Sequence, residues 1–154
     1  MPTINLGMDA KLYYNSGTYA TPSWEEITVT RDVTVNNTRA EADVTTRGND
    51  GWRAIRGTLK DMDVSFQMLQ APDDPAYSYM NLAYLDGTIV DLAVADGDIA
   101  QTGTHYWRLQ SSITQFSETQ PLEEAVTVDV TARPTENAVG AGGSNVPPDF
   151  VTVP

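Results

Sequence analysis

The stretch EADVTTRGNDGWRAIRGTLKDMDVSFQML, residues 41–69, decides the fold that the sequence predicts. From Glu41 to Arg47 small apolar residues alternate with charged or polar ones, which is the pattern of a half-buried β-strand. Residues 48–51, Gly-Asn-Asp-Gly, tolerate positive φ, so the chain can reverse there without strain. The return segment places four large apolar residues on one face: Met62, Val64, Phe66 and Met68. The stretch therefore predicts a long hairpin with one core-facing side.

The tip of this hairpin combines two apolar residues with three arginines: Arg47, Trp52, Arg53, Ile55 and Arg56. A protruding hairpin has no core of its own to bury Trp52, and Trp and Arg are enriched at binding hot spots. We interpret the tip as a surface that docks on a neighbouring subunit. The alternative is that Trp52 folds back over its own domain as a small satellite core, and the sequence pattern leaves both open.

Three segments resemble the tail tube (major tail) proteins of long-tailed bacteriophages. They are LYYNSGTYATPSWEEITVTRDVTV (residues 12–35), EADVTTRGNDGWRAIRGTLKDMDVSFQM (41–68) and QFSETQPLEEAVTVDVTARPT (115–135). The resemblance implies an all-β fold of the tail tube type, a β-sandwich or barrel with a long protruding hairpin loop. It also implies a structural virion protein whose hexameric rings stack into a hollow tube for viral DNA. The implied partners are the chain itself, a tape-measure protein, a tail terminator and tail-tip proteins, and the implied place of assembly is the host cytoplasm.

The domain organisation that we predict is an N-terminal arm (1–10), a tail tube β domain (11–133) and a C-terminal arm (134–154). The C-terminal arm begins after Arg133 with a glycine-rich run and ends in an apolar, extended segment. We expect both arms to cross onto neighbouring subunits, with Phe150 and Val151 making the contacts of the C-terminal arm.

The charge of the chain limits its partners. Nine basic residues against 21 acidic ones give a net charge of −12 and a pI near 4.2. Proteins that hold nucleic acid present clustered Lys and Arg, so we expect no specific DNA binding. A channel wall of like charge would keep passing DNA mobile, although excess carboxylates can also serve solubility alone. The candidate lumen-facing acids, on polar strand faces, are Asp43, Asp61, Asp63 and Asp129.

The sequence offers little for chemistry. It has no cysteine and one histidine, and it carries no nucleophile elbow, P-loop or Rossmann glycine pattern. We therefore expect no enzymatic activity, no catalytic residues, no cofactor and no metal site. The amino-terminal residues lack a signal peptide pattern, and no apolar run approaches the ~20 residues that span a bilayer. The alternative function is a β-sandwich module of a virion or cell surface that binds carbohydrate or a receptor through Trp24, Trp52 or Trp107.

The remaining periodicity predicts one flanking helix and further strands. Asp74 is the expected helix N-cap, Pro75 the first helical residue and Gly87 the residue after the helix end. The expected apolar stripe of this helix is Tyr77, Met80, Tyr84 and Leu85. Strands are predicted over residues 11–14, 27–35 (ended by Asn36-Asn37-Thr38), 88–95, 104–116 and 126–132.

Overall fold

A computed structural model describes residues 2–135 and 147–154 of the chain. In these residues it contains eight strands and one α-helix. The strands are β1 (Lys11–Asn15), β2 (Trp24–Glu26), β3 (Thr30–Asp43), β4 (Ile55–Leu69), β5 (Val90–Ala95), β6 (His105–Thr119), β7 (Thr127–Pro134) and β8 (Asp149–Thr152), and the helix is α1 (Pro75–Asp86).

All strand pairs are antiparallel and belong to one sheet in the order β2-β1-β5-β6-β7-β4-β3, with β8 paired to β6. Ile27 N donates to Leu12 O in β1, and Leu69 N in β4 donates to Val29 O. Residues 27–29 thus join strands from opposite ends of the order, so the sheet curls around a single main core. The fold is all-β with one flanking helix, as the sequence predicted.

β4 and β7 contribute their alternating apolar faces to the core, beside buried residues of β1, β5, β6 and α1. On β4 Met62, Val64, Phe66 and Met68 are all buried, as predicted from their period-2 spacing. The last three of these pair in register with β7, whose Val128, Val130 and Ala132 are also buried. This register leaves the polar residues of both strands together on the opposite face of the sheet.

Helix α1 begins and ends at the predicted residues. The Asp74 side chain accepts hydrogen bonds from Ala76 N and Tyr77 N, Pro75 is the first helical residue, and Gly87 has φ +69°. The predicted apolar stripe is only half right, because Leu85 is 66% exposed and Tyr84 is also exposed. The helix packs through the stripe Ala76, Tyr77, Met80 and Ala83 instead. The buried stripe keeps Tyr77 and Met80 and has the small residues Ala76 and Ala83 in place of Tyr84 and Leu85.

One strand prediction was wrong in extent. Asn36, Asn37 and Thr38 do not end a strand, since β3 continues through them to Asp43 and pairs with β4 along its length. Pairing with the backbone of β4 outweighs the low strand propensity of the two asparagines. The hairpin is therefore longer than the predicted stretch, with arms of 14 and 15 residues.

The apolar carboxy-terminal segment also differs from the prediction. Residues 149–152 form β8 on the amino-terminal part of β6 of the same chain, where Phe150 lies opposite Trp107 and Val151 opposite Tyr106. The Phe150 ring lies 4.9 Å from the Trp107 ring and 5.7 Å from His105. Residues 149–152 thus lie on their own subunit, whereas we expected the C-terminal arm to cross onto a neighbouring one. The glycine-rich run of the predicted C-terminal arm lies outside the described residues.

A buried ion pair that sequence reasoning missed fixes the loop between β1 and β2. Arg108 Nη2 on β6 lies 2.6 Å from Asp91 Oδ2 on β5, and both side chains are mostly buried. Arg108 Nη2 also donates to Tyr19 O, and its guanidinium carbon lies 3.9 Å from the centre of the Tyr19 ring. Asn15 donates to the same Asp91 carboxylate. Each charge is thus matched by a partner and by hydrogen bonds, as a buried pair requires.

Candidate functional site: the projecting hairpin

The outer half of the β3–β4 hairpin extends beyond the core. From Asn36 to Glu41 every residue of β3 is exposed, and so is every residue of β4 from Ile55 to Asp61. Both faces of this two-stranded ribbon are therefore open, whereas the inner half of the same strands has one face buried. Such a ribbon gains no stability from a core on its own subunit.

The tip is nevertheless well ordered by its own hydrogen bonds. The Thr46 backbone N–H and side-chain hydroxyl both donate to Asn49 Oδ1, at 2.7 and 2.9 Å, around a short 3₁₀ turn at residues 47–49. Asp50 and Gly51 then take positive φ values of 48° and 81°. These φ values confirm the predicted reversal point. Aspartate and glycine are residues that tolerate this conformation.

The five predicted tip residues all lie on the exposed part of this hairpin: Arg47, Trp52, Arg53, Ile55 and Arg56. Trp52 is 80% exposed, so the alternative in which it forms a satellite core on its own subunit is wrong. Sequence reasoning missed Leu59, which is 81% exposed on β4. The sequence could have indicated it, because Leu59 is an apolar residue in the set of alternate β4 positions that is otherwise polar, two positions before Asp61. Trp52, Ile55 and Leu59 give the hairpin an exposed apolar surface flanked by arginines.

Asp43 lies at the far end of the β3 arm, at the base of the hairpin tip. It forms an ion pair with Arg53, whose Nε lies 3.3 Å from Asp43 Oδ2. Hydrogen bonding from Thr45, with a smaller contribution from Arg53, lowers the pKa of the Asp43 carboxyl below its usual value. Asp43 is thus a local partner of the tip and lies apart from the other three predicted acids.

Asp61, Asp63 and Asp129 share the polar face of the sheet, opposite the core. Gln67 on β4 lies opposite Asp129 on β7 and donates to its carboxylate at 3.2 Å. Arg133 on β7 reaches across to form an ion pair with Asp61. The structure therefore brings three of the four predicted acids onto one surface and partly neutralises that surface with one arginine.

The three tryptophans do not form a common aromatic platform. Trp24 packs edge-on against Tyr106 at 6.1 Å, Trp107 packs against Phe150, and Trp52 lies alone at the hairpin tip. The arrangement gives no support to a carbohydrate-binding face.

Comparison with known proteins decides the family. The family model described as phage tail tube protein matches residues 9–135. The chain belongs to the phage tail tube protein family. No curated protein matches the sequence. A tail tube protein is a structural component of the phage tail.

Solved structures show the same fold. The tail of an empty gene transfer agent particle, refined with C6 helical symmetry, is 16% identical with a TM-score of 0.71, over 97% of this chain and 100% of that one. A chain of the native gene transfer agent virion is 15% identical with a TM-score of 0.67, over 97% of this chain and 100% of that one. The SPP1 tail tube protein is 14% identical with a TM-score of 0.66, over 84% of this tail tube protein and 75% of that chain.

Two further findings concern the described residues only. Within residues 2–135 and 147–154 no helix has the length and apolar character to cross a membrane. The same residues contain no cluster of three or more His, Cys, Asp or Glu side chains suited to a metal ion.

Proposed function

We propose that this tail tube protein forms rings of six subunits and that the rings stack into a hollow tube through which viral DNA passes. The observation that carries the proposal is the hairpin, which projects Trp52, Ile55 and Leu59 into solvent although its tip is ordered. Apolar groups in this position find burial only on another molecule. The C6 symmetry of the similar gene transfer agent tail supports six subunits per ring.

Lateral contacts within a ring would use the open edges of the sheet. In the described strand order β2 and β3 are terminal, so each has one edge without a strand partner. Exposed edges invite pairing with another chain, and a closed ring of subunits satisfies them.

The two ends of the chain are proposed to bridge subunits. Residues 2–10 are all exposed and include the apolar Ile4 and Met8. Phe150 remains 52% exposed although β8 lies on its own subunit, and Val151 is half-buried, so both keep some surface for a neighbour. The arms 1–10 and 134–154 would add contacts to the β domain without changing its fold.

The lumen surface is proposed to be the polar sheet face with Asp61, Asp63 and Asp129, with Asp43 as a more distant candidate. Six copies at −12 give a ring charge of 6 × −12 = −72. Screening limits repulsion of DNA to about 8 Å at physiological salt, so only carboxylates that line the channel act on it. A like-charged wall lets DNA slide without specific binding.

The role is one of assembly and not catalysis. Tape-measure, terminator and tail-tip proteins are the proposed partners, by the family resemblance, and assembly would take place in the host cytoplasm before the tail joins the virion.

Deletion of Gly48–Arg56 tests the docking role of the hairpin. Glu41 pairs with Gly57, so the deletion leaves residues 42–47 as a new loop and keeps the inner hairpin intact. We expect the Tm of the isolated deletion variant to stay within a few degrees of the Tm of the full chain, because the deleted residues do not contact the core. Electron microscopy should show no long tubes. Tubes of unchanged length would refute the docking role.

A further inference from the structure

Charge is divided unequally between the outer hairpin and the rest of the chain. Residues 36–61, the outer half of the hairpin with its tip, contain five of the nine basic residues and only four of the 21 acidic ones, so this segment carries 5 − 4 = +1. The five are Arg39, Arg47, Arg53, Arg56 and Lys60. The remainder of the chain then carries −12 − 1 = −13. The outer hairpin is thus a positive projection on a strongly negative subunit.

The opposite end of β4 is negative. Residues 69–74, at the end of β4 and in the loop after it, lie side by side with residues 118–124, at the end of β6 and in the loop before β7. Gln70 N donates to Val126 O at 2.9 Å, and Gln70 Nε2 donates to Glu118 Oε2 at 3.2 Å. We call these two segments the acidic end. They contain no Lys or Arg and five acidic residues, which are Asp73, Asp74, Glu118, Glu123 and Glu124.

The acidic end also exposes an apolar side chain. Leu122 is 100% exposed, and it directly precedes Glu123 and Glu124, which are exposed as well. The acidic end therefore repeats the composition of the hairpin tip with the opposite charge, since each combines a free apolar residue with a group of like charges.

One subunit cannot bring these two surfaces together. β4 runs from Ile55 at the tip to Leu69 at the acidic end. At about 3.3 Å per residue this strand separates them by roughly 45 Å. Complementary surfaces at opposite ends of a subunit produce a head-to-tail contact, which propagates along an axis and does not close after two copies.

From this geometry we infer that the acidic end of one subunit is the docking surface for the hairpin tip of a second copy in the adjacent ring. Leu122 covers the apolar side of the tip at Trp52, and Glu123 and Glu124 face Arg53 and Arg56. The inference rests on the proposed tube function and names the partner surface of the same hairpin.

Charge reversal on each side tests the pairing. The tip variant is Arg53→Glu/Arg56→Glu, and the end variant is Glu123→Lys/Glu124→Lys. Each brings like charges together in the head-to-tail contact, so we expect the critical concentration for tube formation to rise at least about tenfold. The four-substitution variant restores opposite charges and should assemble near the wild-type concentration. An equimolar mixture of the two separate variants should also form tubes, since each supplies the surface that the other lacks.

Asp86→Lys is the matched control for the lysine substitutions. Asp86 is the exposed last residue of α1, about 18 Å along the helix from Asp74. We expect its critical concentration to equal that of the wild type. Thermal unfolding below the assembly concentration checks that all variants fold, which exposed positions should permit.

The outcomes separate this inference from the proposed function. If the end variant assembles as the wild type while the Gly48–Arg56 deletion does not, the hairpin docks elsewhere and the inference is wrong, but the tube function stands. The charge pairing is also overturned if the tip variant and the end variant each fail to form tubes and neither their mixture nor the four-substitution variant restores tube formation. If the Gly48–Arg56 deletion variant forms tubes, the hairpin has no docking role and the inference is wrong as well.

Discussion

Replacing Trp52 by alanine should separate assembly from folding. Trp52 is 80% exposed in the subunit, so removing its side chain takes away few contacts from the folded chain. Substitutions at such positions change the free energy of unfolding by less than about 0.5 kcal/mol. For a chain of this length that corresponds to a shift in Tm of about 1–2 °C.

The effect on assembly is much larger. A tryptophan side chain presents roughly 200 Å² of surface, of which about 160 Å² is free to be covered on docking. At about 25 cal/mol per Å², burial contributes about 4 kcal/mol, and about 3 kcal/mol of this is lost when alanine keeps only the β-carbon. Since 1.4 kcal/mol corresponds to a factor of ten, the critical concentration should rise about a hundredfold.

Sedimentation velocity over a concentration series, with negative-stain electron microscopy, measures this concentration. Leu85→Ala is the control, because Leu85 is an exposed apolar residue on α1 and lies outside the hairpin. Assembly of Trp52→Ala at the wild-type concentration would refute the reasoning. A drop in Tm of more than about 5 °C would do so too, since it would show that Trp52 belongs to the core of its own subunit.

Two further predictions concern the subunit itself. Arg108→Met should lower the free energy of unfolding by about 3–5 kcal/mol, because it leaves the Asp91 carboxylate buried without its charge partner. Adding Asp91→Asn should recover a large part of that loss in urea unfolding, and no recovery would argue against the ion pair. Burial, with a hydrogen bond to Glu25, raises the pKa of Tyr14 from 10.0 to about 12. The unfolded chain therefore loses this proton first, and stability should fall by roughly 2–3 kcal/mol as the pH rises from 10 to 12. Tyr14→Phe should remove this part of the alkaline slope, and an unchanged slope would contradict the assignment.

The elements that sequence predicted well are those set by local chemistry. The core face of β4 follows from alternation between Met62 and Met68, and the ends of α1 follow from an aspartate cap and a glycine that accepts positive φ. The tip reversal at Asp50-Gly51 has the same local origin. In each case the residues that decide the structure are neighbours in the chain, so their pattern is visible without the fold.

The errors arose where distant segments decide the outcome. β3 continues through Asn36-Asn37-Thr38 because β4 provides a ladder beside them, which local propensity does not reveal. The segment around Phe150 became a strand because β7 ends at Pro134 and leaves the remaining edge of β6 open. The Asp91–Arg108 pair joins residues 17 positions apart on adjacent strands, so only the strand register brings them together.

The candidate site was predictable in its residues but not in its context. The unusual combination of Trp52 with three arginines marked the tip, whereas its exposure depended on the length of the ribbon. The acidic end was not foreseen, because its two segments lie 44 or more positions apart in the sequence and meet only through the pairing of Gln70 with residues 118 and 126.

The most direct test of the central claim is a cryo-electron microscopy reconstruction of tubes grown from the purified chain. The claim is that the outer hairpin completes its burial only against another copy. We predict stacked six-membered rings in which Trp52 is buried on a subunit of the adjacent ring. A chain that stays monomeric at high concentration, or a tube in which Trp52 remains in solvent, would contradict the account.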